Sequence, residues 1–433
     1  MFDYYLNLAL RSLRRNRVLT ALMIITLALG IGASITTLTV LRLLSGDPLP
    51  QKSAQLFYAQ VDPYTSDGYV PGKTKPQRLM AYPDAMNLLH AHQARRQAAM
   101  ALTDAKIAPL RAGEHPFFSN GVMTTADFFT MFDAPFRYGG GWTADDDENR
   151  AQVVVISDFL NDKLFGGASS VGRTIRVNDH DLRIIGVLKP WAPQPRFYAQ
   201  GLGGRSYGDG DAVFLPLQTA RAASMDPQND DCWAVADTSK LETAPCIWLG
   251  FWAELSSDGE AAAYRRFLSN YVQQQIALGR FSRPEVALSD LPQWLRDEKV
   301  VPDDVRLQAG LAFGFLLICV VNTVGLLLAK CLRRSQEIGV RRALGATRRA
   351  IFAQFMVEAG IVGMAGGLLG LVFAELGLWC IRHQPAEYAG LAHLDVHMFL
   401  LTFLVALVAS MIAGLLPAWR ASLLAPGSQL KAA

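Results

Sequence analysis

The stretch nearest to a chemical motif is Gly167-Ala-Ser-Ser-Val-Gly-Arg-Thr174. Its glycines have the spacing of a phosphate-binding loop, but Arg173 stands where that loop needs lysine. β-branched residues follow, where such a loop must open a helix, so no nucleotide is expected there. Asp145-Asp146-Asp147-Glu148 offers carboxylates to calcium but lacks the glycine and distal glutamate of a calcium loop, and reads as a solvated turn. His90 and His92 face different ways on a helix. His393 and His397 lie one turn apart at a loop–span junction, with no third ligand. There is no G-x-S-x-G, H-E-x-x-H or C-x-x-C, so no catalytic residue, metal or cofactor is expected in this chain.

The cysteines divide by surroundings. Cys319, Cys331 and Cys380 lie in or beside apolar runs; Cys232 and Cys246 lie in a polar region. In an oxidising compartment the latter two are expected to be bridged, the alternative being two unpaired thiols. The loop would be about 15 residues, for which chain entropy gives about 3 kcal/mol.

These residues are positioned by membrane segments. Residues 18–41 carry no charge, and three more apolar runs, 307–329, 351–378 and 397–416, crowd the last third. Each meets the roughly 20 residues that a span requires. The first has a basic start, but it is too long for a signal-peptide core and reads as a retained anchor. The expected fold is therefore membrane α-helical, four spans arranged 1 + 3, with a large α+β extracytoplasmic domain of two lobes between spans one and two. The expected segments are an amphipathic interfacial helix over 1–17, span one over 18–43, the domain over 44–306, span two over 307–329 and a cytoplasmic element over 330–350. Span three over 351–380, a short outer loop over 381–396, span four over 397–416 and a cytoplasmic tail over 417–433 complete the chain. Lobe one is expected from 48–115 plus 218–303, and lobe two from about 116–217.

Charge gives the orientation. The net charge is +3, yet residues 44–306 hold 26 Lys and Arg against 32 Asp and Glu. The positive excess sits beside the spans, at Arg11, Arg14, Arg15 and Arg17 and at Lys330, Arg333, Arg334, Arg341, Arg342, Arg348 and Arg349. Basic residues flanking spans stay inside, so both termini and the 330–350 loop are expected in the cytoplasm. A nucleic-acid partner would need a basic face on one folded domain and is not expected; membrane lipids are.

Within the domain, 55–62, 153–157, 174–178, 182–188 and 214–217 read as strands. Residues 82–102, 159–167 and 258–278 read as helices. Between spans two and three, Gln336–Leu344 reads as a short helix stopped by Gly345, and Thr347 as the cap of the next helix. Span three contains Gly363-x3-Gly367 and Gly366-x3-Gly370, which permit close helix approach within one chain or across a dimer. Glu358 is expected to pair with Arg348 or Arg349, Glu375 to reach the interface, and Asn322 to hydrogen-bond between helices. No broken helix or ring of charges marks a path through the midplane.

RRSQEIGVRRALGATRRAIFAQFMVEA resembles the loop after span two in MacB/FtsX-type ABC transporter permeases. GLLPAWRASLLAPGSQL is similar to that family's ending, and RSLRRNRVLTALMIITLALGIGAS to its entry into span one. MTTADFFTMFDAPFRYGGGWTADD, VVVISDFLNDKLFGGASSVGRTIRVN and LRIIGVLKP resemble stretches of its periplasmic domain. The resemblance implies that Glu337, Ile338, Arg341, Arg342, Leu344, Gly345 and Arg348 couple to a cytoplasmic ABC ATPase dimer. ATP would then be bound by that separate subunit and not by this chain. It also implies a second permease chain, identical or sister, in a bacterial inner membrane, and leaves open a periplasmic adaptor and outer-membrane duct. The alternative is a membrane-anchored sensor or scaffold without transport activity.

Overall fold

The computed structural model describes residues 8–423 except 10, 14, 110–112 and 114. The expected interfacial helix over 1–17 and the tail beyond 423 lie largely outside the described residues. The chain divides into two compact units, one of residues 46–300 and one of 1–45 with 301–433.

The unit 46–300 is built on one mixed sheet. Its strands are β1 (Leu56–Val61), β2 (Met80–Ala81), β3 (Arg96–Ile107), β4 (Phe117–Thr124), β5 (Phe136–Gly139) and β6 (Val153–Ile156). After them come β7 (Thr174–Val177), β8 (His180–Leu188), β9 (Val213–Pro216), β10 (Asp231–Cys232), β11 (Cys246–Glu254) and β12 (Val286–Asp290). The main order is β12-β1-β11-β3-β4-β9-β6-β8-β5. β4 pairs with β9, and β6 with β8, in parallel; the other neighbours on this path are antiparallel. The first four strands of this order come from the flanks of the unit and the last five from 117–216.

Both sheet faces are covered. Ala98, Met100 and Leu102 of β3 point into one core with Tyr58, Phe128, Phe132 and Trp252. Ala99, Ala101 and Ala105 point into the other with Trp248, Phe251 and Leu268. This overturns the expected helix over 82–102. A helix, α1, occupies only Tyr82–His90, and the rest becomes the centre of the sheet. Alanine is the best helix former, but here its small side chain lets both layers approach the strand, and tertiary packing overrides propensity.

The remaining helices of this unit are α2 (Phe128–Met131), α3 (Ala144–Glu148), α4 (Asp158–Phe165), α5 (Leu217–Ala222), α6 (Asp258–Ala277) and α7 (Leu291–Asp297). Ser157 caps α4 and Gly166, at φ 66°, ends it in the left-handed conformation. The acidic run at 145–148 is solvent-facing, with no residue buried, but is helical rather than a turn. It forms α3, capped by Thr143 and Asp146, and Asp147 reaches inward to accept from the Ala126 N–H at 2.7 Å. Cys232 and Cys246 are bonded, closing β10 onto β11.

The second unit contains four helices long and apolar enough to cross a membrane: Arg17–Leu44, Asp303–Arg333, Arg348–Arg382 and Val396–Leu423, spans one to four. Span three lies between spans one and four. Its two glycine motifs serve different neighbours. A Cβ on Gly363 or Gly367 would meet Ser410 or Ala406 of span four at 2.0 and 2.8 Å. One on Gly366 or Gly370 would meet Leu27 or Ile31 of span one at 3.2 and 3.0 Å. The glycines thus permit close packing inside one chain. Asn322 differs from expectation: it is exposed on span two and makes no hydrogen bond among the described residues. The neighbouring Thr323 is buried instead, and donates to the Cys319 carbonyl at 2.8 Å.

Candidate coupling site

The helix Ser335–Ala343 follows span two after a single residue, Arg334. Gly345, at φ 99°, ends it as only glycine does readily. The Gly345 N–H reaches the Arg342 carbonyl at 3.1 Å, and the Ala346 N–H the Arg341 carbonyl at 3.0 Å. The Thr347 hydroxyl then accepts from the Ala350 N–H at 3.2 Å and starts span three. The start of span three and the C-terminal end of the short helix are therefore fixed by local chemistry.

Its inner face is fixed by long-range contacts. Glu337 accepts from Arg334 at 3.0 Å and from Arg341 at 2.8 Å, and Arg15 approaches it at 3.5 Å. Burial opposes ionisation of Glu337, but the hydrogen bond and charge of Arg334, with the charges of Arg341 and Arg15, outweigh it. They hold the carboxyl below its usual range. Arg341 also donates to Gln354 of span three at 3.1 Å, and Arg342 to the Ser422 carbonyl of span four at 3.3 Å. Ile338 is buried with Cys331, Ile351, Phe355, Ala418 and Ala421, from the ends of spans two, three and four.

A buried charge cluster lies beside this helix. Lys330 of span two donates to Glu358 of span three, and both side chains are 0% exposed. Ser12 also donates to Glu358, at 2.9 Å, and Arg334 donates to Ser12 while lying 3.8 Å from the carboxylate. Glu358 therefore does not pair with Arg348 or Arg349. Those arginines are exposed at the start of span three, whereas Glu358 lies three turns inward on the face turned to span two. Glu375, near the other end, pairs with Arg382 at 2.6 Å.

The outer face is different in kind. Val340 is 53% and Leu344 84% exposed, beside exposed Gly345 and Arg348. Of the seven residues singled out in the sequence, Glu337, Ile338, Arg341 and Arg342 are engaged within the chain. Leu344, Gly345 and Arg348 face outward. Sequence reasoning missed Val340 on the outer face and Lys330, Arg334 and Gln354 on the inner one. Lys330 and Arg334 are one turn apart, opposite an acid inside an apolar run, and that pattern was the available signal.

Residues 20–245 match the family model of the MacB-like periplasmic core domain, and residues 309–426 that of the FtsX-like permease C-terminal region. The chain belongs to the MacB/FtsX family of ABC transporter permeases. It is 24% identical over 429 residues to the pyoverdine export ATP-binding/permease protein PvdT of Pseudomonas fluorescens, covering 96% of this chain and 57% of that protein. It is 26% identical over 327 residues to the macrolide export ATP-binding/permease protein MacB of Nitrobacter winogradskyi, covering 74% of this chain and 44% of that protein. It is 25% identical over 306 residues to the uncharacterized ABC transporter permease YvrN of Bacillus subtilis, covering 70% of this chain and 68% of that protein. The chain thus spans about half the length of the export proteins it matches. In this permease the short helix Ser335–Ala343 falls inside the FtsX-like region, and the twelve-stranded unit falls largely inside the core-domain match.

Proposed function

We propose that this permease is the membrane subunit of a mechanically coupled ABC complex in a bacterial inner membrane. Both termini and the Ser335–Ala343 helix face the cytoplasm, and the domain 46–300 faces outward. A separate cytoplasmic ATPase dimer grips the short helix of each of two permease chains. Closure of the ATPase on ATP shifts the spans and moves the outer domain, driving export or extraction of a substrate. An adaptor and outer-membrane duct are compatible partners. The basic residues at 330–349 support this orientation, as do two relatives whose names join ATP binding to export.

One observation carries the proposal. The short helix is braced to three spans on one face and presents Val340 and Leu344 on the other. Exposed apolar residues on a cationic, braced helix suit a protein partner better than water. A sensor or scaffold has no use for such a handle. Replacing Val340 and Leu344 together by Asp removes the apolar contact without touching the brace. A co-expressed ABC ATPase that co-purifies with the wild-type chain is expected to be lost from membrane preparations of this variant, while the permease keeps its unfolding midpoint. Unchanged co-purification would refute the proposal.

A further inference from the structure

A cleft of about 270 Å³ opens in the domain 46–300 where the two halves of the sheet meet. One wall is α1 and the start of β3; the other is the Thr125–Asp127 turn, α3 and the start of α5. Its apolar lining comes from Tyr82, Met86, Leu89 and Leu217. Small-molecule sites have this character, a concave apolar surface with a few polar groups, and favour such boundaries.

The charges around the cleft are not balanced. Arg96 is matched, donating to both carboxylate oxygens of the buried Glu254 at 3.0 and 2.9 Å, and Arg95 lies 3.8 Å from the same carboxylate. On the opposite wall stand Asp127, Asp147 and Glu148. Asp127 accepts from the Gln97 N–H at 3.0 Å and Asp147 from the Ala126 N–H at 2.7 Å. Among the described residues no cation pairs with any of the three. His90 and His92 complete the rim and are exposed. The cleft therefore joins an apolar surface to a set of acids that lacks its counter-charge.

We propose that this cleft is a binding site for an organic monocation with an apolar body, its charge answering Asp127, Asp147 and Glu148 and its body lying on Met86, Leu89 and Leu217. Such a ligand bridges the two halves of the sheet. The site stands whether or not the permease couples to an ATPase, because binding needs no ATP.

The electrostatics give the binding a pH signature. Burial pushes the Asp147 carboxyl up to about 7, the Ala126 N–H and Trp142 pull it down, and neighbouring Asp146 and Asp127 push it further up. A bound cation favours the ionised form, so binding releases a proton below neutrality. If the ionised form is the competent one, affinity falls about tenfold from pH 8 to pH 6. His90 and His92 also line the cleft, beside Arg95 and Arg96, so a variant must separate their contribution from that of Asp147.

The test is calorimetry on the full chain in lipid nanodiscs, with empty nanodiscs subtracted, using phenylbutylammonium, the neutral phenylbutanol and the anionic phenylbutyrate. The wild type is expected to bind the ammonium most tightly, about tenfold tighter at pH 8 than at pH 6. Asp147→Asn, which keeps an acceptor for Ala126, is expected to bind at pH 8 no more tightly than the wild type does at pH 6. Glu148→Gln, at an exposed position, is expected to weaken binding several-fold and guards against a folding defect in the first variant. Replacing His90 and His92 by Gln is expected to leave most of the pH dependence in place. Equal binding of alcohol and ammonium, tighter binding of phenylbutyrate, or wild-type affinity in both acid variants would overturn the proposal.

Discussion

In the domain 46–300, buried ionic groups are dispersed. Arg196 and Tyr198 meet Asp211 inside the 190–212 loop, at 2.6 to 2.7 Å. Arg96 and Glu254 join two neighbouring strands, and Arg283 with Asp62 ties the segment before β12 to the end of β1 at 3.1 Å. Each pair fixes one local piece. In the four-span unit, Lys330, Arg334, Glu337, Arg341 and Glu358 gather at one end, and Glu358 alone is shared by span two, span three and Ser12. Packing differs in the same sense. The sheet is filled by large rings, with Tyr58 stacked on Trp294 at 3.8 Å between centroids and Phe132 edge-on to Trp252 at 5.8 Å. The spans approach through glycine. Loss of one contact in the domain should stay local, whereas loss of one charge in the spans should be felt by several helices.

The largest effect is expected at that shared charge. Lys330→Met leaves Glu358 buried with the Ser12 hydroxyl at 2.9 Å and its nearest remaining cation, Arg334, at 3.8 Å. Removing one partner of a buried pair costs about 3–5 kcal/mol, while replacing both by apolar groups is often neutral. The single variant should therefore lose about 3 kcal/mol in detergent unfolding, and Lys330→Met with Glu358→Met should recover most of it. For contrast, Lys75→Ala, which breaks an ion pair to Asp297 with Lys75 78% exposed, should change stability by less than about 1 kcal/mol. Similar losses from both single variants would dissolve the distinction between the two units.

A second effect belongs to the domain alone. The Cys232–Cys246 bridge closes a loop with a sequence separation of 14. Chain entropy assigns such a loop about 3 kcal/mol. Reductant should lower the unfolding midpoint of the domain, read by tryptophan fluorescence, and leave the midpoint of the span unit unchanged. A joint shift would show that the two units unfold together.

What the sequence disclosed follows from how local each signal is. The spans were legible because about 20 apolar residues have few other readings, although the helices run on through the charged residues at their ends, to Arg333 and Arg382. Gly345 and Thr347 act within one turn and were legible too, whereas Ser157, read as the end of a strand, caps α4 instead. β3 and β11 were not. Both are covered on two faces, so polar and apolar residues do not alternate, and β11 is buried at all nine positions. The parallel pairing of β4 with β9 joins residues some ninety positions apart, beyond any local pattern. The candidate coupling site was half legible. Its turn chemistry is local, but the face that Glu337 and Arg341 present inward looks like a solvated face. Only the position of Gln354, Glu358 and Ser422 shows that it is not.

The smallest effect tests the glycine packing itself. On span three, Gly363 and Gly360 lie three residues apart and are chemically equal in sequence. A Cβ on Gly363 would meet Ser410 Oγ at 2.0 Å and the Ala406 carbonyl at 3.0 Å, while one on Gly360 meets nothing within 4 Å. Alanine is favoured over glycine in a helix by about 1 kcal/mol, so Gly360→Ala should stabilise the span unit slightly. Gly363→Ala gains the same propensity but must push span four away, and overpacking costs about 1–3 kcal/mol. The two substitutions should therefore move detergent unfolding in opposite directions. If both stabilise, span four has room to retreat, and the close approach of these helices is a consequence of packing elsewhere. If Gly363→Ala destabilises and Ser410→Gly restores it, the contact between spans three and four is set at this one crossing.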